Sequence, residues 1–304
     1  MTSATTAFGR QLPTNDDTGE LLLRRTGQER RRMLRNTIAT VTASLAALGV
    51  LTVLGVIILF VVVNGLPYID QQFLTQDAQG YDQGGGLAAI LGSLQMVPLA
   101  ALIAAPIGIM GGIYLAESHQ GRVADTVRLA TETLAGLPSV VIGIFVFTIL
   151  VAPVGRDSAL AGAVALSVIM IPILARSVEE IIRLVPTSVR EAALALGIPV
   201  WKTTTRVVVR TALAGILAAL MLAVARAAGE TAPLILTAIG NQQVNVGDFT
   251  GSMDSLPTFI WLSSGQPSDL LVGQAWAASL VLLVFVLVAN ILVRGRTAGR
   301  KRAR

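Results

Sequence analysis

The chain has 304 residues, of which 53% are hydrophobic and 13% are charged, and its formal net charge at pH 7 is +5. Because charged residues make up about 25% of an average soluble protein, this composition excludes a soluble globular domain and indicates a polytopic membrane protein. The absence of cysteine excludes disulfides and thiolate metal sites, and the single histidine, His119, excludes a metal cluster built on paired histidines. No cofactor and no metal site are predicted.

Six apolar stretches have the length of a bilayer-spanning helix, about 20 residues. In chain order they cover residues 38–63, 87–115, 129–151, 159–175, 212–236 and 271–293. The second stretch carries Pro98 and Pro106, which predict a kink or a break, and the fourth is short and ends near Pro172. The predicted fold class is an all-α membrane protein with six transmembrane helices.

Nearly all basic residues fall on one side of this predicted membrane protein. The N-terminal segment, the loops after the second and fourth spans, and the C-terminal tail hold all 23 Lys and Arg residues except Arg156 and Arg226. The positive-inside rule therefore predicts that both termini are cytoplasmic. The predicted organisation is a basic segment 1–37, a six-span domain 38–293 with a cytoplasmic loop at about 176–210, and a basic tail 294–304.

Two charged surfaces allow a functional and a simpler interpretation. The arginines between Arg24 and Arg35 suit nucleic acid, but a juxtamembrane position favours contact with anionic membrane lipid. The predicted external loops are acidic, which serves solubility or provides a docking face for an extracytoplasmic partner. Residues 241–266 form the longest of these loops and are the better docking candidate.

The cytoplasmic loop contains Glu191-Ala192-Ala193, three further residues, and Gly197. Ala192, Ala193 and Leu196 are predicted to form one small apolar face of a short helix, and Gly197 can adopt the left-handed conformation that ends it. Small side chains allow such a helix to enter a groove on another protein, with Arg190 and Glu191 fixing its orientation. The alternative is an ordinary amphipathic helix at the membrane surface.

This spacing resembles the loop signature of the membrane subunits of ABC importers. In that family a second hydrophobic segment follows, and here Val207 and Val209 fit it while Arg210 replaces its proline. The resemblance implies the type I importer permease (MetI-like) architecture. It also implies that Glu191, Ala192, Ala193 and Gly197 couple the chain to an ATPase.

Three further segments resemble the permeases of phosphate importers more narrowly: residues 99–117, 134–143 and 226–234, the last reading Arg-Ala-Ala-Gly-Glu-Thr-Ala-Pro-Leu. The resemblance implies a permease in the bacterial cytoplasmic (inner) membrane. Its implied partners are a second homologous permease subunit, ATPase subunits and an extracytoplasmic phosphate-binding protein. Two alternatives remain: another oxyanion such as sulfate or molybdate, and a non-transporting scaffold or phosphate-signalling subunit.

Arg226 and Glu230 lie four residues apart within a predicted span, and hence on one helix face. Ionised groups at this depth are costly and usually mark a pathway. Arg226 can bind phosphate through its planar guanidinium, and the predicted substrate pathway comprises Arg226, Glu230, Thr231 and Ser139. The alternative is a structural ion pair. The chain has no phosphate-binding P-loop, so it is predicted to be a non-catalytic subunit that depends on a separate ATPase.

Overall fold

The computed structural model describes residues 15–77, 84–118, 121–241 and 243–302, and every regular element in these ranges is helical. Helix α1 spans Asn15–Gly65, and a 3₁₀ turn spans Leu66–Tyr68. The eleven α-helices that follow in the described residues lie in the second of the two units defined below. Their bounds are α2 Gln71–Thr75, α3 Leu87–Glu117, α4 Arg122–Gly136, α5 Ser139–Val146, α6 Ala159–Arg183, α7 Thr187–Ala195, α8 Val200–Lys202, α9 Val209–Ala228, α10 Ala232–Thr237, α11 Leu256–Ser264 and α12 Asp269–Arg302. Short π-helical segments, Phe147–Val151 and Thr203–Val208, extend α5 and connect α8 to α9.

Within the described residues, five helices are long and apolar enough to cross a membrane, and a bent pair of helices brings the number to six. The bent pair is 122–136 with 139–151, whose axes differ by 103°. This agrees with the predicted six-span fold class. The chain divides into two compact units, Met1–Phe60 and Val61–Arg304.

Helix α6 forms the centre of the second unit and packs along α3. Glycines make this close approach possible: a Cβ on Gly108 would lie 2.9 Å from Leu174 Cβ, and a Cβ on Gly112 would lie 2.5 Å from the carbonyl oxygen of Ala175. Two glycines spaced four apart put a groove on one helix face, into which a neighbouring helix fits in an apolar environment. The main core cluster continues through buried side chains of α9, including Ile216 and Ala223.

Helices α3 and α6 run parallel, which gives the unit two distinct ends. Near their beginnings Met96 approaches Gly162, and near their ends Gly112 approaches Val178. We call the end where α3 and α6 begin the acidic end, after Asp157, Asp248 and Asp254. We call the end where they finish the basic end, after Arg183, Arg190 and Lys202.

The prolines of α3 and α6 do not break these helices. Helix α3 continues without a break through Pro98 and Pro106, and α6 continues through Pro172 to Arg183. Lateral packing of α3 and α6 compensates for the backbone hydrogen bonds that proline removes. The predicted end of the fourth span near Pro172 is therefore wrong. Helices α1 and α12 also continue without a break across residues 37 and 293. The predicted boundaries between the membrane-spanning domain and the two basic terminal segments therefore stay predictions.

Helix α4 lies at the basic end, where it is held to α6 by charge. Arg128 Nη2 on α4 lies 3.1 Å from Glu179 Oε1, and Arg183 Nη2 lies 2.7 Å from the same oxygen. The Glu179 side chain is only 10% exposed. A mostly buried carboxylate is tolerated because two guanidinium groups surround it.

Candidate functional site

The predicted span 212–236 is interrupted at the position of the charged motif. Helix α9 ends at Ala228, Gly229 follows as its C-terminal cap, and α10 begins at Ala232 with Pro233 in its first turn. A glycine after a helix and a proline inside the start of the next one are typical of such a junction. Glu230 and Thr231 therefore lie in the break itself.

Arg226 lies in the last turn of α9 and Glu230 in the break that follows, with Arg226 Nε 3.8 Å from Glu230 Oε1. The Arg226 side chain is 63% exposed and the Glu230 side chain 16%. At 3.8 Å the two groups are only loosely paired. The geometry thus provides a weakly paired guanidinium, available to an anion, beside a mostly shielded carboxylate.

A second break, between α4 and α5, lies next to the first. Helix α4 ends at Gly136, and Ser139 is the first residue of α5, directly after Pro138. One turn further along α5, a Cβ on Gly143 would lie 2.8 Å from the Cα of Pro233 in α10. Ser139 thus begins one of two short helices that pack together, and Thr231 directly precedes the other.

The loop with the Glu-Ala-Ala signature forms α7, which ends in a Schellman motif. The Gly197 N–H donates to the carbonyl of Leu194, and the Ile198 N–H donates to the carbonyl of Ala193. Gly197 has φ +76°, as the sequence predicts for a left-handed residue that closes a helix. Nothing lies within 4 Å of a Cβ built on Gly197, so its requirement for glycine arises from the backbone conformation alone.

The two faces of α7 differ from the predicted pattern. Ala193 is buried and Val189 packs against the main core, so these residues, four apart, form the inner face. Ala192 and Glu191 are exposed, and Leu196 is 81% exposed. The predicted face of Ala192, Ala193 and Leu196 is therefore wrong, because the helix presents Ala193 to the core and the other two residues outward.

Arg190 also points elsewhere than predicted. Its guanidinium pairs with the Glu117 carboxylate at the end of α3 and donates to the Ile182 carbonyl at 3.2 Å. Arg190 therefore attaches α7 to the bundle. Of the two charged residues predicted to orient this helix on a partner, only Glu191 is exposed. Sequence reasoning missed Glu117. The available signal was a carboxylate directly at the end of a long apolar span.

The basic end carries a set of exposed apolar side chains around α7. They precede α7, lie on it, or follow it up to α8: Leu184, Leu194, Leu196, Val200 and Trp201. Lys202 lies over the Trp201 ring, with its Nζ 5.3 Å from the ring centroid. Large apolar groups exposed together on a polar loop are typical of a protein–protein contact. We call these five residues the α7 patch.

At the acidic end, residues 243–255 form a loop that is fastened to the bundle. The Gln95 side chain of α3 donates to the Asn245 carbonyl and accepts from the Gly247 N–H, and Ser93 Oγ accepts from the Leu256 N–H at 2.8 Å. Val246, at 70% exposure, lies at the surface between these contacts. The predicted docking loop 241–266 is therefore only partly a loop, because residues 256–264 form α11, and its first part, 243–255, is held in a defined position by α3.

Near the end of this loop lies Asp254, a buried carboxyl directly before Ser255, the N-cap of α11. Desolvation by burial raises the pKa of Asp254, although hydrogen bonds from the Thr258 hydroxyl and the Ser255 N–H act in the opposite direction. At the surface of the same loop, hydrogen bonds from Thr250 lower the pKa of Asp248. One loop therefore carries carboxyl groups in opposite environments.

Comparison with known sequences identifies relatives of this architecture. The family described as "Binding-protein-dependent transport system inner membrane component" matches residues 108–295. A phosphate transport system permease protein PstA from Xylella fastidiosa (strain Temecula1) is 42% identical over 268 residues, which cover 87% of this chain and 93% of that protein. The PstA protein of Pasteurella multocida is 37% identical over 265 residues, covering 86% and 94%.

Among solved structures, the fold resembles the methionine ABC transporter MetNI in inward-facing conformations. One such chain has a TM-score of 0.55 at 17% identity and covers 67% of this chain and 92% of its own length. A second crystal form has a TM-score of 0.54 at 19% identity, covering 71% and 94%. At this identity the likeness concerns the fold alone. By its matched family and its PstA relatives, this chain belongs to the binding-protein-dependent transport system inner membrane components, multi-pass membrane permeases of ABC importers.

Proposed function

We propose that this chain is the permease subunit of an ATP-driven phosphate importer and forms one half of the translocation pathway. The observation that carries this proposal is the exposed Arg226 guanidinium beside the break between α9 and α10, only weakly paired with Glu230 at 3.8 Å. A guanidinium binds phosphate oxygens through two parallel hydrogen bonds. Relatives with up to 42% identity are phosphate transport permeases by name, which supports the same anion.

The pathway consists of Arg226, Glu230, Thr231 and Ser139. Arg226 attracts the anion, Glu230 holds the guanidinium when the anion is absent, and the two hydroxyl groups offer hydrogen bonds along the neighbouring short helices. The close packing of Gly143 against Pro233 supports this grouping, because it joins α5, which begins at Ser139, to α10, whose N-cap is Thr231. A second homologous permease (PstC-like) covers the exposed side of Arg226 and completes the channel.

Energy comes from separate ATPase subunits (PstB-like), and this chain has no catalytic role of its own. The ATPase docks on the outward face of α7, where Glu191 and Ala192 are exposed, and on the α7 patch. Ala193 and Gly197 keep α7 in position, the first by packing inward and the second by closing the helix. Small exposed residues next to large apolar ones suit a shallow groove on the partner.

The orientation follows from charge. We infer that the basic end faces the cytoplasm, with both termini, and that the acidic end faces outward in a bacterial cytoplasmic membrane. An extracytoplasmic phosphate-binding protein (PstS-like) then docks on the loop 243–255, which Gln95 and Ser93 hold in place. The basic N-terminal segment contacts anionic membrane lipid.

Transport by the reconstituted complex tests the proposal. The chain, its partner permease, the ATPase and the binding protein are placed in lipid vesicles, and uptake of radiolabelled phosphate is measured with and without ATP. Phosphate uptake that depends on ATP and is not displaced by excess sulfate or molybdate supports the proposal. Uptake of one of those oxyanions instead identifies a different cargo, and an assembled complex without any uptake identifies a scaffold or signalling subunit.

A further inference from the structure

The carboxylate of Glu117 joins three segments at the basic end of the bundle. It is the last residue of α3, and its two oxygens face different partners. Oε1 accepts from Arg190 Nη1 on α7, and Oε2 accepts from the Thr204 hydroxyl, at 3.2 Å, in the π-helical segment before α9. These partners lie 73 and 87 positions away along the chain, so only the folded bundle brings them together.

Water is largely excluded from this contact. The Arg190 and Glu117 side chains are 21% and 25% exposed, whereas the nearby pair of Arg176 and Glu180 is 60% and 68% exposed. Shielded charge pairs with good geometry resist separation much more than surface pairs do. Arg190 uses its second nitrogen to bind the Ile182 carbonyl at 3.2 Å, so the same guanidinium holds α7 to α6 as well as to α3.

Helix α3 is well placed to carry a displacement away from α7. It extends from the basic end to the acidic end, and its glycines Gly108 and Gly112 lie in close contact with α6. At its far end Ser93 and Gln95 hold the loop 243–255. Closely packed helices move as rigid elements because protein interiors compress very little.

We propose that Glu117 is a positioning residue that couples α7 to α3, so that a movement of α7 driven by an ATPase is passed on to the transmembrane bundle. Arg190 and Thr204 act as its two attachment points. The inference rests on the proposed function, since it requires an ATPase docked at α7. It concerns residues that are mostly shielded, in contrast to the exposed Glu191 and Ala192 of the proposed docking surface.

Glu117→Gln tests this in the complete reconstituted complex, with Glu180→Gln as the matched control on the same end of the bundle. Glutamine keeps the size of the side chain and removes its charge. In Glu117→Gln we expect the ATPase to co-purify as in the wild type and to hydrolyse ATP within about twofold of its normal rate. The phosphate transported per ATP should fall about tenfold, which lies within the range for altered coupling between sites. Glu180→Gln should leave this ratio unchanged.

A spectroscopic readout separates coupling from structure. Because the chain has no cysteine, single nitroxide labels can be attached at Ser188→Cys on α7 or at Met110→Cys on α3, both at exposed positions. In the wild-type background, addition of ATP should change the spectrum of both labels. In the Glu117→Gln background, the label on α7 should still respond, and the label on α3 should not.

Several outcomes overturn the inference. Uptake and hydrolysis that fall together at an unchanged ratio would reduce Glu117 to a structural role, and so would an α3 label that responds normally. If Glu117→Gln does not assemble, Thr204→Val removes only one contact and should lower the same ratio by a smaller factor; a wild-type ratio there also overturns the inference. A wild-type complex that transports nothing would reject the proposed function, while the label responses still decide the role of Glu117.

Discussion

Gly112 of α3 lies so close to Ala175 of α6 that a Cβ on the glycine would stand 2.5 Å from the alanine carbonyl oxygen. The neighbouring Gly111 has room for a side chain, because its Cβ would make an ordinary van der Waals contact, 3.9 Å from the Cβ of Ala175. Two adjacent glycines on one helix therefore have different structural roles. The difference arises from the face of α3 that each residue occupies.

Gly112→Ala should destabilise the bundle by about 1–3 kcal/mol, because the added methyl group must push apart the two most extensively packed helices. Gly111→Ala is the matched control and should change stability by about 1 kcal/mol or less. Thermal unfolding in detergent, followed by tryptophan fluorescence, measures both. Equal melting temperatures for the two variants would contradict the close contact between α3 and α6.

Gly197→Ala should weaken coupling without a steric clash. The site is open, so the expected cost of about 1–2 kcal/mol comes only from placing a side chain at φ +76°. Gly197→Val should have a larger effect of the same kind. Insertion into the membrane should be normal, with reduced co-purification of the ATPase and reduced ATP-driven uptake.

Gly136→Val is the matched control for the docking role of α7 and should leave ATPase binding unchanged. Gly136 is the last residue of α4, a Cβ built on it has no neighbour within 4 Å, and its φ is not positive. Normal ATPase binding and normal uptake in Gly197→Val would remove Gly197 from the coupling site.

Neutralising Arg226 and Glu230 together separates transport from folding. The two charged groups are 3.8 Å apart and most of the Arg226 side chain is exposed. The double variant Arg226→Gln, Glu230→Gln should therefore reach the membrane in normal amounts. It should nevertheless fail to take up phosphate, because no guanidinium remains for the anion. Arg226→Lys should restore only part of the activity, since an ammonium group lacks the planar fork.

Membrane abundance and phosphate uptake must be measured on the same preparation. Normal abundance with normal uptake in the double variant would show that phosphate transport needs neither residue, and would contradict their assignment to the pathway. Poor abundance in each single variant, restored in the double variant, would instead identify a structural ion pair.

The orientation of the bundle is testable by reporters. A reporter inserted near Arg183, or fused after Arg304, should be active only on the cytoplasmic side, and one inserted near Asp254 only on the outer side. The physical reason is the concentration of Lys and Arg in the loops at one end. An external reporter near Arg183 would reverse the orientation and exclude α7 from contact with a cytoplasmic ATPase.

Asp254→Asn should make the stability of the protein less dependent on pH. Burial raises the pKa of Asp254, so the folded state favours the protonated carboxyl. That contribution is fully present below the unfolded pKa, about 3.9, and is lost as the pH rises through the raised folded value. Asparagine retains an acceptor for Thr258 and has no charge to bury. The advantage of Asp254→Asn over the wild type in melting temperature should therefore increase from pH 4 towards neutral pH, and Asp248→Asn at the exposed tip should not share it.

The amino-acid sequence by itself determined the class of the protein, its spans and the position of its principal motifs. Long apolar runs require helices in a membrane because the backbone must satisfy its own hydrogen bonds there, and the break at Gly229 to Pro233 follows from local backbone preferences. The left-handed Gly197 was predictable for the same reason. Such properties depend on neighbours along the chain, which the sequence displays directly.

The tertiary structure alone decided which residues meet across long separations. Glu117 and Arg190, 73 positions apart, form a pair that no local pattern predicts, and this contact turns Arg190 inward. The direction of Ala192 and Leu196 depended on which side of α7 found the core. Pro172 failed to end its helix because packing against α3 outweighed a local preference. Burial and pairing are properties of the assembled bundle, and periodicity alone cannot assign them.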